Sequence, residues 1–362
     1  MITIDDRFKE QIKYLLLKGW DTKEIAKFFG VSNLLVSRIK RELCFYKLSS
    51  DPLFEQVKLY FGCAKSVLEE YKNIYAKFST RPKFSRRKQV EDKVLLLSDL
   101  HTGMVNKSPV TGKVTYDLNK ELCELRQLLR GMIRFYQLER SAYSFETLYI
   151  FALGDLISND RIYEGQLYEV ACEVGRQILI TLNLLSDFTK ELSKYFPKIV
   201  WVFEYGNHGR TTSRPNSEPA SNNFEYLLAQ LMKERFSPNP RVEVVVPEEY
   251  YYTLNIRGHK YLLFHGDHIR GTTLNTIENA AKQLVLLARE EPYDVIAIGH
   301  FHSCHMFPIT PSTSLLVNGC FIEEDNFAYK SLRKFSTVNQ FMFNVSKKSA
   351  LHNLQEINLL WE

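Results

Sequence analysis

The sequence predicts an α/β (α+β) protein that is built around a buried β-sheet and preceded by a small all-α module. Short β-branched or leucine-rich runs alternate with helical segments from residue 93 onward, as in stacked β-α-β units. Residues 5–45, in contrast, show helical periodicity and no strand pattern. The 362 residues, 45% of them hydrophobic, supply a large core and exclude disordered, collagen-like and coiled-coil classes.

Residues 1–48 are predicted to form a helix-turn-helix module. Asp21 and Ser32 stand where helix N-caps belong, and Gly30 separates the second and third helical patterns. The segment resembles the small helix-turn-helix modules of recombinases and phage regulators, whose third helix meets DNA in the major groove. The residues expected on that outer face are Asn33, Ser37, Arg38 and Arg41. A three-helix bundle that binds protein is the alternative.

Residues 49–91 are predicted to be a helical connector followed by a basic linker. Residues 1–90 hold 19 Lys and Arg against 10 Asp and Glu, a formal charge of +9, whereas the remainder carries −4. A basic arm on a mildly acidic body typically binds phosphate backbones, so nucleic acid, and DNA in particular, is the expected partner. A solvated charged surface and a homo-oligomer are the other interpretations.

Beyond the linker, strands are predicted at about 93–98, 146–152 and 198–203, with helices near 118–140, 166–195 and 222–236. Later runs at 242–246, 250–257, 259–265, 294–298, 314–318 and 338–345 have hairpin character. Residues 347–362 are predicted to be a C-terminal tail.

A cytoplasmic, reducing location without a membrane partner is expected. The longest apolar stretches are shorter than a bilayer span, and Asp5 and Asp6 are incompatible with a secretory signal. The six cysteines form no CxxC pair, which favours reduced thiols.

Five predicted strands run directly into residue types that bind metals. These residues are Asp99 and His101, then Asp155, then Asn207 and His208, then His265, and finally His300 and His302. Any one such strand exit is common in ordinary turns, but five of the nine histidines occupy them. The carboxyl ends of strands are where α/β proteins place their sites, and imidazole, carboxylate and amide donors suit Mn, Fe or Zn. The sequence therefore predicts a metal centre.

These motifs carry a resemblance to a known family. The ordered series Asp99-Leu-His101, Gly154-Asp155, Gly206-Asn207-His208, His265-Gly266 and Gly299-His300-Phe-His302 resembles the calcineurin-like metallophosphoesterase superfamily over residues 92–346. The first and third motifs look most like phage-associated members near the DNA-repair nuclease branch. The resemblance implies a two-sheet β-sandwich flanked by helices, with a binuclear metal centre at one edge.

The resemblance also implies a role for each motif residue. Asp99, His101 and His302 would bind one ion; Asn207, His265 and His300 would bind the other; Asp155 would bridge them; and His208 would be the catalytic acid. Two divalent ions, Mn²⁺ first and Fe or Zn as alternatives, are the expected cofactors. Such a pair lowers the pKa of water and clamps phosphate oxygens during in-line displacement, and a histidine that is not a ligand can protonate the leaving alkoxide.

The chain departs from the family pattern after Gly-Asn-His. Many members have Asp or Glu there, whereas this chain has Gly209 and Arg210, so that position supplies no carboxylate to support His208. Arg210 and Arg270 are the candidates for binding the substrate phosphate, with a surface or ion-paired arginine as the alternative. Asp267 is interpreted either as an orienting carboxylate or as a turn former. Tyr163, Glu164 and Gln166 are expected in a substrate wall.

The sequence therefore predicts a metal-dependent phosphodiesterase that acts on nucleic acid. One alternative is a hydrolase of small phosphoesters, such as nucleotides or cyclic nucleotides, that uses the N-terminal module for assembly. The other is a DNA-binding regulator with a vestigial hydrolase domain. The full set of seven expected ligands and His208 argues against that last interpretation.

Overall fold

The computed structural model describes residues 6–49, 88–108, 110–213, 218–271, 273–288, 292–324 and 336–360. The chain divides into two compact units, Met1–Ser85 and Arg86–Glu362. The predicted connector and basic linker lie almost wholly outside the described residues. Among those that are described, no helix is long and apolar enough to cross a membrane.

The first unit contains the three predicted helices, α1 (Asp6–Leu17), α2 (Thr22–Phe29) and α3 (Asn33–Ser49). Their apolar faces share a small core formed by Ile12, Ile25, Ala26, Val36 and Ile39. The Asp21 carboxylate accepts a hydrogen bond from the Lys23 backbone N–H at 2.8 Å and caps α2. Gly30 ends α2 in the left-handed conformation, with φ at 64°, where glycine is favoured.

The second unit contains thirteen strands and four α-helices among its described residues. The strands are β1 (Gln89–Leu97), β2 (Asn106–Lys107), β3 (Val114–Tyr116), β4 (Tyr143–Leu153), β5 (Lys198–Glu204), β6 (Val242–Val245), β7 (Tyr252–Ile256), β8 (His259–Leu263), β9 (Val295–Ile298), β10 (His305–Pro308), β11 (Ser314–Val317), β12 (Asn339–Ser346) and β13 (Ser349–Asn358). The helices are α4 (Leu118–Glu139), α5 (Val174–Leu192), α6 (Phe224–Phe236) and α7 (Leu274–Leu287).

The strands form two main sheets with parallel centres. The six-stranded sheet has the order β13-β12-β1-β4-β5-β6, in which β1, β4, β5 and β6 are parallel and β12 and β13 antiparallel. The five-stranded sheet has the order β10-β11-β9-β8-β7, with β8, β9 and β11 parallel. Parallel neighbours end at the same edge of a sheet, so each sheet gathers the residues that follow its parallel strands.

The two sheets pack face to face, and helices cover their outer faces. On β1, Val94 and Leu96 belong to a core cluster shared with Tyr261 and Leu263 of the other sheet. The alternate β1 residues pack with α4, α5 and α6, while α7 packs on the outer face of the five-stranded sheet. This alternation is the period-two pattern of a strand buried on both faces. The predicted α/β class, a two-sheet sandwich flanked by helices, is confirmed.

Two predicted elements differ from the structure. The helix expected from residue 166 begins at Val174. The preceding segment instead pairs with the loop after β1, where the Val105 N–H donates to Glu169 and the Ala171 N–H to Gly103. Residues 349–358, predicted to lie in a tail, form the edge strand β13, because Ile357 and Leu359 are buried in the main core. Tertiary packing decides both cases.

Two of the runs predicted to have hairpin character pair differently. The runs at 242–246 and 294–298 form β6 and β9, and the strand partners of both among the described residues are parallel.

A buried carboxyl group supports the loop that carries His101. Glu121 on α4 is fully buried and accepts a hydrogen bond from the Thr102 hydroxyl. Burial raises the pKa of Glu121 from 4.5 to about 8, although the Thr102 bond lowers it. The folded chain therefore keeps a proton that the unfolded chain releases, and the free energy of unfolding falls as pH rises through this window.

We expect Glu121→Gln to flatten the pH dependence of stability. The amide oxygen retains the Thr102 bond and removes the titration, so the Tm of the variant should fall less than that of wild type between pH 6 and pH 8. Thermal unfolding with a chelator present measures this. The exposed Glu191→Gln on α5 is the matched control and should follow wild type. Identical pH slopes for wild type and Glu121→Gln would contradict the prediction.

Candidate metal centre

The metal-binding residue types predicted at strand ends meet at one edge of the sandwich. They follow β1, β4 and β5, which are neighbours in one sheet, and β8 and β9, which are neighbours in the other. Those that line a cavity of about 430 Å³ are His101, Asp155, Asn207, His208, His300 and His302. Asp99 and His265 are buried in direct contact with them. The structure thus brings all seven predicted ligands together.

The backbone of this edge is unusual. Five of the seven residues adopt a positive φ between 50° and 67°, namely Asp99, His101, Asp155, His300 and His302. Non-glycine residues rarely occupy this region, and each instance costs about 1–3 kcal/mol. Glycine is required beside them, since a Cβ on Gly206 would overlap the Asp155 carboxylate.

The first group of donor atoms belongs to Asp99, His101 and His302. The two imidazole Nε2 atoms lie 3.3 Å apart, and the Asp99 Oδ1 lies 3.3 Å from Nε2 of His302 and 4.0 Å from that of His101. All three side chains are buried. One carboxylate and two imidazoles that converge on a common point form a suitable half-site for a divalent ion.

The second group belongs to Asp155, Asn207, His265 and His300. Nε2 of His265 lies 3.1 Å from Asp155 Oδ2 and 3.0 Å from Asn207 Oδ1. His265 Nδ1 lies 2.7 Å from the Leu153 carbonyl, which fixes the tautomer by accepting its proton. Nε2 then faces two oxygen acceptors, an arrangement that needs a proton or a cation between the atoms.

Asp155 joins the two groups. Its Oδ2, which contacts His265, is also 4.0 Å from Nε2 of His101, so this carboxylate is adjacent to both sets of donors. Its position is the one predicted for a bridging ligand.

The electrostatics of the second group favour positive charge. Burial opposes ionisation of Asp155, but His265 and His208 override it and hold the pKa of Asp155 well below its usual value. Burial lowers the pKa of His265, but the Asp155 carboxylate raises it to about 9. Burial keeps the pKa of His300 well below its ordinary value, so this imidazole is neutral, the form that binds metals. A divalent ion can take the place of the His265 proton, so this donor set fits a bound metal ion.

His208 lies beside the donor groups and is held through both its ring and its backbone. Its Nδ1 is 2.7 Å from the Ser158 carbonyl and 3.3 Å from Gln166 Nε2, and its backbone N–H donates to Asp155 Oδ1 at 2.8 Å. The Ser158 carbonyl therefore supplies the support that position 209 does not. A nitrogen of His208 also lies within 4.8 Å of donor atoms on His101 and Asp155, so its assignment as acid rather than ligand stays a prediction.

The departure after Gly-Asn-His has a steric reason. A Cβ on Gly209 would overlap Asn223 Oδ1 and lie 2.8 Å from Glu225 Cγ. The space beside residue 209 is thus filled by the start of α6, and glycine is the residue that fits there.

The two predicted phosphate-binding arginines differ in position. Arg210 lines the cavity and is nearly buried in an ion pair with Asp267. Asp267, interpreted from the sequence as an orienting carboxylate or a turn former, therefore forms an ion pair with Arg210. Arg270 is exposed, and among the described residues it is not part of the cavity lining.

The predicted substrate wall, Tyr163, Glu164 and Gln166, lines the cavity. The Tyr163 hydroxyl accepts a hydrogen bond from Asn207 Nδ2 at 2.7 Å, which leaves Asn207 Oδ1 toward His265. Tyr163 is 46% exposed, and the centroid of its ring lies 5.2 Å from that of His208. The tyrosine thus orients a candidate ligand and offers an aromatic face to the cavity.

Two supporting residues were not predicted from the sequence. Asn159 donates from Nδ2 to the carbonyls of His208 and Arg210 at 2.7 and 2.9 Å. Glu225 lies at the start of α6 and contacts the loops of Asp155 and Gly206. Asn223, which precedes a helical apolar run, is a recognisable N-cap signal, but no local pattern marks Glu225 or Asn159.

On the predicted nucleic-acid face of α3, Asn33, Arg38 and Arg41 are exposed, and Ser37 is partly buried. The Arg38 guanidinium lies 3.7 Å from Glu42, and Arg41 Nε donates to the Ser37 carbonyl at 3.3 Å. The face is therefore accessible on the isolated three-helix unit.

No protein-family model matches the chain, and no curated protein matches it. A Streptococcus pneumoniae protein described as a predicted phosphoesterase is 9% identical, over 74% of this chain and 97% of its own, with a TM-score of 0.30. A metallophosphoesterase from Sphaerobacter thermophilus is 13% identical, over 69% and 83%, with a TM-score of 0.28. The zinc complex of Vps29 from Entamoeba histolytica is 10% identical, over 74% and 99%, with a TM-score of 0.33. These low scores add no weight to the residue geometry.

Proposed function

We propose that this protein is a metal-dependent phosphodiesterase that hydrolyses nucleic acid, with DNA as the favoured substrate. The observation that supports it best is the pair of donor groups that share Asp155, with His208 beside them at the wall of an accessible cavity. Asp99, His101 and His302 would hold one ion, and Asn207, His265 and His300 the other. Two bound divalent ions would lower the pKa of water and neutralise the phosphate oxygens.

His208 would protonate the leaving oxygen. The Ser158 carbonyl, 2.7 Å from Nδ1, keeps that nitrogen protonated, so the transferred proton leaves from Nε2. A sugar hydroxyl is a poor leaving group, and general-acid help accelerates its departure.

One feature favours a substrate that carries a base, and a second favours a polymer over a free nucleotide. The Tyr163 ring beside His208 can pack against a base near the scissile bond, and Tyr168, five residues further along the chain, is 90% exposed. Stacking of a base on an aromatic ring contributes about 1–3 kcal/mol. The N-terminal 90 residues carry a formal charge of +9, which suits a polyanion.

A substrate panel tests the proposal. Full-length protein loaded with Mn²⁺ is offered single-stranded DNA, duplex DNA, RNA, cyclic nucleotides and bis(p-nitrophenyl) phosphate. We expect cleavage of a polynucleotide that stops with a chelator. Turnover confined to nucleotides or cyclic nucleotides would favour the small-phosphoester alternative, and no turnover of any phosphoester would favour the vestigial one.

We expect Arg38→Ala with Arg41→Ala to weaken DNA binding without affecting turnover of the small diester. Each phosphate contact contributes about 0.9 to the slope of log affinity against log salt, so the slope should fall by about 1.8. Fluorescence anisotropy at several salt concentrations measures it. Lys190→Ala with Lys194→Ala removes the same charge from exposed positions at the end of α5 and just after it, and is the control. Normal DNA binding together with a loss of oligomer mass would instead indicate an assembly module.

A further inference from the structure

Glu225, the second residue of α6, is a fully buried carboxylate that faces backbone N–H groups. Its Oε2 accepts from the N–H of Asp155 at 3.2 Å and of Gly206 at 2.7 Å. Its Oε1 accepts from the N–H of Leu156 and, at 3.3 Å, of Ile157. The donors come from two loops, one after β4 and one after β5. A single side chain therefore connects the loop of Asp155 with the loop of Asn207.

The start of α6 is itself fixed on the second of these loops. Asn223 Nδ2 donates to the Gly206 carbonyl at 3.0 Å, and the Phe224 N–H donates to the Gly209 carbonyl at 2.7 Å. Asn223 Oδ1 caps the helix by accepting from the Glu225 N–H at 2.8 Å. Glu225 thus has little freedom to turn away from the four N–H groups.

We propose that Glu225 is a positioning residue that sets the separation of Asp155 and Asn207 and so determines the affinity of the second ion, an inference that rests on the proposed metal-dependent function. Glu225 is not among the residues that line the cavity, so it acts through the backbone. Asp155 has a φ of 53°, a conformation that a non-glycine residue keeps only when its surroundings impose it. Hydrogen bonds at residues 155, 156 and 157 to one carboxylate impose it here.

The test is Glu225→Gln. The amide keeps one acceptor oxygen but turns an NH₂ group toward N–H donors, so about half of the hydrogen bonds are lost. In metal-free protein, hydrogen exchange at residues 155, 156, 157 and 206 should accelerate by about 10-fold or more. Mn²⁺ titration should show the second ion bound about 10–100-fold more weakly, with the first unchanged. Saturating Mn²⁺ should restore kcat on bis(p-nitrophenyl) phosphate.

Two further variants make the result decisive. Glu204→Gln makes the same change at a fully buried carboxyl that has no hydrogen-bond partner among the described residues, and it should match wild type in all three measurements. Glu225→Asp keeps the carboxyl group with a shorter reach and should fall between wild type and Glu225→Gln, which preserves the test should the glutamine variant fail to fold.

The outcomes separate this inference from the proposed function. Unchanged exchange at the four amides overturns it, as does a loss of kcat that saturating Mn²⁺ leaves in place while Mn²⁺ affinity is normal. If wild type binds no Mn²⁺ while Glu225→Gln accelerates exchange at those amides, the positioning of the loops stands and the metal-dependent function falls.

Discussion

Asp155→Asn is expected to lower kcat/KM on bis(p-nitrophenyl) phosphate by on the order of 1000-fold, equivalent to about 4 kcal/mol of transition-state stabilisation. Asp155 Oδ2 lies within 4.0 Å of Nε2 of both His101 and His265, so the substitution removes negative charge from both donor groups at once. Loss of a ligand confined to one group, such as His300, should have a smaller effect. Steady-state kinetics and metal content measured on the same samples provide the test.

The exposed Asp187→Asn on α5 is the matched control and should keep both activity and metal. We expect wild type to bind two divalent ions per chain and Asp155→Asn to bind fewer. One tightly held ion with full activity, or activity that survives exhaustive chelation, would rule out a binuclear centre.

His208→Ala is expected to separate two substrates by their leaving groups. A nucleic-acid diester departs as a poor alkoxide and needs a proton, whereas nitrophenolate leaves unaided. The variant should therefore lose on the order of 100-fold or more on DNA and much less on bis(p-nitrophenyl) phosphate, within the usual contribution of a general acid. Single-turnover rates on both substrates measure the difference.

His259→Ala, at a partly buried histidine on β8 that lies outside the predicted motifs, is the control and should not distinguish the substrates. The metal content of His208→Ala decides between its two possible assignments. Equal losses on both substrates would contradict the acid role, and loss of bound metal would make His208 a ligand, which its position within 4.8 Å of donor atoms on His101 and Asp155 allows.

The strand ends could be predicted because two local sequence features coincide there. Buried parallel strands such as β4 are continuous apolar runs, and each run stops at a Gly-Asp or Asp-x-His step that can be recognised locally. The structure confirms the α/β class and brings together the residues after β1, β4, β5, β8 and β9. Their roles as ligands stay predictions.

The supporting contacts were not predictable, because each depends on residues far apart in the chain. Glu225 contacts Asp155 across 70 positions, and Tyr163 contacts Asn207 across 44. The pairing of residues 169–171 with the loop after β1 likewise overrides local helical periodicity. Helical or strand periodicity reports which face of an element is buried, but carries no information about which distant group lies opposite.

The five positive-φ residues of the candidate metal centre bear on whether that site is vestigial. Their backbone strain costs about 1–3 kcal/mol each. The sum is comparable with the free energy of unfolding of a typical domain, about 5–15 kcal/mol. A single replacement by glycine at any of these positions would relieve part of that burden. A chain that did not use the site would thus become more stable each time one of these residues was replaced by glycine. Asp99, His101, Asp155, His300 and His302 all have this strained backbone, which supports the proposed enzymatic function over the vestigial alternative.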